Sequence, residues 1–150
     1  MASAFQYNAF QSNAFQTEVP TPNIGLDETA FGFGVVANSS TPDTGLDYFT
    51  ITNSSAFAVD LSIKATDFSG GVGWTLSDTA EPGVNTVGMK AGLEGGSYNI
   101  IVKKTAPFNN LKEGLAAAGT QSFGLQLLAP TGVTDPVEKT TTVTITAVAS

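Results

Sequence analysis

Apolar and polar side chains alternate strictly over residues 57–65. Phe57, Val59, Leu61, Ile63 and Ala65 fall on one side of an extended chain; Ala58, Asp60, Ser62 and Lys64 fall on the other. A period of two is the strand repeat, so this segment reads as a half-buried β-strand. Residues 140–148 follow the same logic, with Val143, Ile145 and Ala147 opposite Thr142, Thr144 and Thr146. Further strands are predicted over 31–37, 46–52, 73–77, 85–89, 98–103 and 121–128. Stretches rich in Gly, Pro, Asn, Asp and Ser separate them at 38–45, 67–71, 78–83, 92–96 and 130–136, and these read as turns. About seven or eight short strands at this spacing predict an all-β, antiparallel β-sandwich. Residues 107–119 break the pattern. Leu111 and Leu115 would share a helix face at four-residue spacing and Gly119 would stop the helix, so a short helical crossover between the sheets is expected there.

The alternation does not extend to the N-terminus. Residues 1–24 read as an attachment arm that ends in Val19-Pro20-Thr21-Pro22, where two prolines stiffen the junction, and residues 25–150 read as the domain. The arm carries a five-residue repeat: Ala4-Phe5-Gln6-Tyr7-Asn8, Ala9-Phe10-Gln11-Ser12-Asn13, Ala14-Phe15-Gln16-Thr17. On an α-helix, five-residue spacing turns each Phe about 140° from the last. On a strand, odd spacing sends successive Phe to opposite faces. A coil of successive turns would align the rings, but three repeats fall short of the stack that a solenoid needs to bury a core. The remaining solution is an extended or kinked arm. In it, Phe5, Phe10 and Phe15 are anchors for pockets on a neighbouring subunit, because large rings bury much surface at low entropic cost. Gln6, Gln11, Gln16, Asn8 and Asn13 then satisfy backbone groups along the arm. A plain disordered tail would be poor in aromatics, and uncovered Phe rings invite aggregation.

Composition narrows the chemistry. There is no Cys and no His, so disulfides, Cys/His metal centres and His-based acid–base catalysis are excluded. All six basic residues are Lys against thirteen Asp and Glu, for a formal net charge of -7, which is unsuited to nucleic acid. Charged residues are only 13% of the chain, so its polar surface must come from Thr, Ser, Asn and Gly, as in extracellular or particle-bound β proteins. No apolar run approaches the roughly 18 residues of a membrane helix, so no membrane insertion is expected. The first residues lack the basic and apolar regions of a secretory signal, and Met1 fits a chain made without one. No enzyme, cofactor or metal is expected.

Individual side chains support that view. Trp74, in Gly71-Val-Gly-Trp-Thr-Leu76, reads as a core residue of a sandwich strand, as do Phe68 and Phe123; the alternative for Trp74 is a sugar-stacking ring working with Tyr48. Asp43 with Asp47, Asp78 with Glu81 and Asp135 with Glu138 lie in turns. None forms the dense carboxylate loop that calcium needs, so they read as solvated carboxylates. Nothing places two carboxyls across a cleft as a glycosidase requires. Residues 92–96 are Gly-rich but lack a phosphate-loop ending and read as a hairpin turn. Lys103-Lys104 reads as a solvated strand end.

Two features carry a resemblance. The tandem Asn8-Ala9-Phe10-Gln11 and Asn13-Ala14-Phe15-Gln16 is similar to elements near the N-termini of many small tailed-phage and prophage proteins. Residues 30–148 resemble Ig-like β-sandwich modules of virion and cell-surface proteins. The similar residues are Phe49-Thr-Ile-Thr-Asn53, residues 57–63, Ala91-Gly-Leu-Glu-Gly-Gly96, Leu115-Ala-Ala-Ala-Gly119 and the closing strand over 141–147. The absence of a Cys pair excludes the antibody type. The resemblance implies a non-enzymatic component of a phage particle, a head decoration protein or a tail or fibre accessory. Such a protein would be located in the virion and partnered by itself or by other virion proteins. An extracellular cell-surface filament subunit is the second expectation, with the arm donating a strand to the next sandwich. Odd Phe spacing argues against strand donation unless a kink at Asn8 or Asn13 restores register. A carbohydrate-binding module is the third.

Overall fold

The fold, taken from a computed structural model, describes residues 20–150. The arm residues Phe5, Gln6, Asn8, Phe10, Gln11, Asn13, Phe15 and Gln16 lie outside the described residues. Nine strands and no helix are present among the described residues: β1 (Ile24–Leu26), β2 (Phe49–Asn53), β3 (Val59–Ala65), β4 (Thr75–Leu76), β5 (Thr86–Leu93), β6 (Ile100–Ile101), β7 (Asn109–Leu115), β8 (Thr120–Leu128) and β9 (Val143–Ala149). They form two sheets. The larger has the order β1-β2-β8-β5, with β4 and β6 both along the far edge of β5; the smaller has the order β7-β3-β9. All named pairings are antiparallel except β4 with β5. The all-β sandwich expected from the periodicity is therefore the architecture.

The core lies between the sheets and follows the alternation. Val59, Leu61, Ile63 and Ala65 of β3 face Phe49 and Ile51 of β2, Val87, Met89 and Ala91 of β5, and Phe123, Leu125 and Leu127 of β8. Each Val, Leu, Ile, Phe or Met among them, fully buried, contributes roughly 1.5–3 kcal/mol by its removal from water. Phe68 and Phe123 are buried, as expected.

The predicted helical crossover is not there. Residues 109–115 form β7, paired with β3. Four-residue spacing is even, so Leu111 and Leu115 share a strand face as readily as a helix face, and both are buried. Gly114 tips the balance. It sits at φ 60, where a helix cannot continue, and forms a bulge against β3 whose freed N–H donates to Asp60 Oδ1 at 2.7 Å. The strand expected at 31–37 is also absent. Gly34 turns there at φ 67, and residues 28–38 cross the molecule as a strap without strand pairing. Conversely, the segment expected at 85–89 belongs to β5, which lies next to β8 within the larger sheet.

One long side of the sandwich is crossed by the chain between β6 and β7. The chain after β6 joins the smaller sheet through Ala65 N to Lys103 O at 3.1 Å, then enters β7. At one end, Asn53 is wholly buried. Its Nδ2 donates to the carbonyls of Phe57, Leu115 and Ala116, its Oδ1 accepts from Ser55 N, and its own N–H donates to Gly119 O. Asn53 thereby ties the end of β2 to the β2–β3 turn and the β7–β8 turn. Among the described residues no strand pairing joins the opposite long side, between β9 and the strap.

Candidate docking cleft

β9 is built for burial on one side only. Its Val143, Ile145 and Ala147 turn inward while Thr144 and Thr146 are exposed. It pairs with β3 residue for residue from Val143↔Ala65 to Ala149↔Val59. No described residue pairs with its other edge. Alternate backbone N–H and C=O groups of β9 therefore point out along an open strand edge.

Beside that edge lies a cleft of about 1020 Å³. Val143 and Ile145 form one wall. Phe49, Phe123, Leu125 and Leu127 form the floor, Phe68 and Trp74 one end, and the strap with Phe31, Phe33 and Val36 the facing wall. Phe33 and Val36 pack on the core, whereas the rim is apolar and exposed: Leu26 40%, Phe31 37%, Val35 104% and Val137 48%. These exposed apolar side chains stand among Glu28, Glu138 and Lys139, and apolar surface gathered at an opening and edged by polar groups marks a contact surface. Two T-shaped contacts brace the strap side: Phe31 against Phe33 at 4.9 Å and Phe31 against Tyr48 at 4.8 Å.

Trp74 is not wholly in the core, as expected from the sequence, but half-buried in the cleft wall. Its backbone exchanges two hydrogen bonds with Phe68, at 2.9 and 3.0 Å, and its ring lies 6.0 Å from the Phe68 ring. The Lys139 ammonium stands 5.8 Å from the indole centroid and donates to Gly70 O at 2.7 Å. Trp74 Nε1 is buried and meets no acceptor among the described residues. Tyr48, its suggested companion for sugar stacking, is flanked instead by Phe31 and Phe49, each with centroids 4.8 Å away.

The turn carboxylates expected to be solvated are largely loop staples. Asp135 accepts from Val72 N at 2.7 Å, from Val137 N at 3.3 Å and from Lys139 Nζ at 3.4 Å, so it fixes the loops at the Trp74 end of the cleft. The Val72 amide, foremost, holds its carboxyl below the ordinary 3.8. Asp78 accepts from Lys104 N at 2.7 Å and from the Thr105 hydroxyl, which most strongly lowers its pKa. Asp43 accepts from Gly45 N at 2.9 Å. Lys104, read as solvated, bridges to Asp67 at 2.9 Å, and this contact is the main cause of the lowered Asp67 pKa. Lys103 Nζ donates to Pro107 O. Loops that lack ladder partners must find acceptors for their amides, and Asp supplies them. Among the described residues no three His, Cys, Asp or Glu side chains gather as a metal site. The Gly-rich stretch at 92–96 is the expected turn, with Gly96 N donating to Leu93 O at 3.0 Å.

The sequence points to Trp74, but not to the strap or to the opening that both line with Ile145 and Leu125. The signal was the apolar excess of residues 31–36, which was assigned to a strand. No protein-family model, curated protein or solved structure matches the chain.

Proposed function

We propose that the protein is a non-enzymatic structural subunit of an assembled particle, a phage head decoration or a tail or fibre accessory protein. Its sandwich is the rigid body, and its N-terminal arm docks on a neighbouring subunit through Phe5, Phe10 and Phe15. The observation that carries this reading is the open, apolar-rimmed cleft on a chain whose arm repeats an aromatic anchor. Low charge supports it, since few ions need be desolvated at subunit contacts. Deletion of residues 2–18 tests it. The expected product is a β-rich monomer by circular dichroism and sedimentation, absent from particles in electron micrographs. Assembly by the truncated chain would refute the reading.

A filament subunit is the second reading, favoured by the edge of β9, unpaired among the described residues, beside a largely apolar cleft, the arrangement used in strand donation. Growth of a homopolymer from purified protein alone supports the filament. Saturable binding confined to preformed capsids supports decoration.

A further inference from the structure

Building on the assembly reading, we infer that the cleft receives residues 4–13 of a second copy of this chain, hydrogen-bonded as an added strand along the open edge of β9. β9 offers the backbone half of such a site. Among the described residues its edge is unpaired along its seven residues, and its inward Val143 and Ile145 already line the cavity.

The arm offers the matching side chains. In an extended chain Phe5, Tyr7 and Ala9 share one face, while Gln6 and Asn8 share the other. The first face suits the floor of Phe123 and Leu125. The second would stand beside the exposed Thr144 and Thr146 at cross-strand distance. Five-residue spacing sends Phe10 to the outer face in this register, so the first repeat is the inserted one. It alone carries an aromatic, Tyr7, where the later repeats carry Ser12 and Thr17.

The direction of the chain at Asn23 points to an arm from another copy. Asn23 is fixed by Ser55 Oγ and by Ser54 N, at the end of the sandwich where β9 also finishes and Ser150 N donates to Ala58 O. To enter its own cleft the chain would have to reverse direction at residues 20–23, just ahead of β1. It would then run parallel to β9. A neighbour's arm needs no reversal and can take the antiparallel register, which is the more stable per residue. From Phe5 to Pro20 an extended chain reaches roughly 50 Å, against roughly 23 Å for the length of β9.

The absence of native Cys makes the test clean. One tagged population of full-length chains carries Gln6→Cys or Asn8→Cys, and a second carries Thr144→Cys or Thr146→Cys. After mixed assembly and mild oxidation, the expected result is a disulfide between differently tagged copies. Phe5→Cys and Tyr7→Cys, on the opposite face, should form none with the same partners. Two results would overturn the inference. In the first, Asn8→Cys/Thr146→Cys within one chain closes only on itself. In the second, assemblies form normally but none of the four outward pairs cross-links, in which case the arm docks elsewhere and the assembly reading survives. Failure of the assembly reading itself is seen separately, as assembly that persists without residues 2–18.

Discussion

Asn53 Nδ2 donates to the carbonyl of Leu115 at 2.9 Å across 62 positions of sequence. The same NH₂ serves Phe57 and Ala116, so one amide side chain holds the end of β2, the turn to β3 and the end of β7 in register. Because Asn53 is wholly buried, no water can replace it there without rearrangement. The closed end of the sandwich depends on this residue, and the cleft is open along the side away from the β6–β7 connection.

Replacing Asn53 should therefore be costly. Asn53→Ala leaves three carbonyls and one N–H without their partner and is expected to lower stability by about 3 kcal/mol in urea unfolding. Asn53→Asp should be worse, since it turns a carboxylate toward three carbonyl oxygens. Equal stability of Asn53→Asp and the parent would contradict the assigned amide orientation.

Gly124 lies where two backbones nearly touch. A Cβ at this position would stand 1.9 Å from Gly45 O and 2.9 Å from Leu46 Cα, so Gly124→Ala must push the Gly45–Leu46 backbone off β8. The expected loss is about 3 kcal/mol. Gly25→Ala, with nothing within 4 Å of the added carbon, should stay within about 0.5 kcal/mol. Thermal melts of the pair give the comparison.

Acid should weaken the fold. Asp27, Asp60, Asp67, Asp78 and Asp135 all have carboxyls held below the ordinary 3.8, chiefly by hydrogen bonds from Thr50 N, Gly114 N, Lys104 Nζ, the Thr105 hydroxyl and Val72 N respectively. A depressed native pKa stabilises above the unfolded value, and this is lost as pH falls through the native value. Tm should be flat from neutrality to about pH 5 and decline below about pH 4. The double variant Asp60→Asn/Asp135→Asn should show a shallower decline, because two of the linked protons are gone.

Trp74 is the single Trp of the chain and lines the cleft, so its fluorescence reports on what fills the cleft. On assembly, emission should shift to the blue and acrylamide quenching should fall, as an inserted chain displaces water from the ring. The chain lacking residues 2–18 should show neither change at any concentration. Identical quenching of the assembled and truncated proteins would place the arm away from the cleft.

Sequence pattern was most informative where one strand face is buried and the other wet. β3 shows this: four inward side chains are buried and the three between them are partly exposed, and the period of two was plain. β5 gave no such rhythm. Both of its faces are covered, with Gly88 against the Ala80 carbonyl and Gly92 against Ser97 and Leu46, so small residues interrupt the alternation. β7 was misread because i and i+4 coincide on a strand as on a helix. The strap was misread because its aromatic residues pack without pairing.

The sequence by itself determined the class of architecture, the turns and the inward side chains of the best strands, because these follow from local periodicity and turn chemistry. It also determined what the chain cannot do, through the absence of Cys and His. Only the tertiary structure decided that Ile145 and Leu125 line one opening, that β9 pairs with β3 alone among the described residues, and that Asn53 ties the turns at one end. Those facts depend on which strands become neighbours. Strand order is set by the fit of whole sheets, which no local repeat encodes.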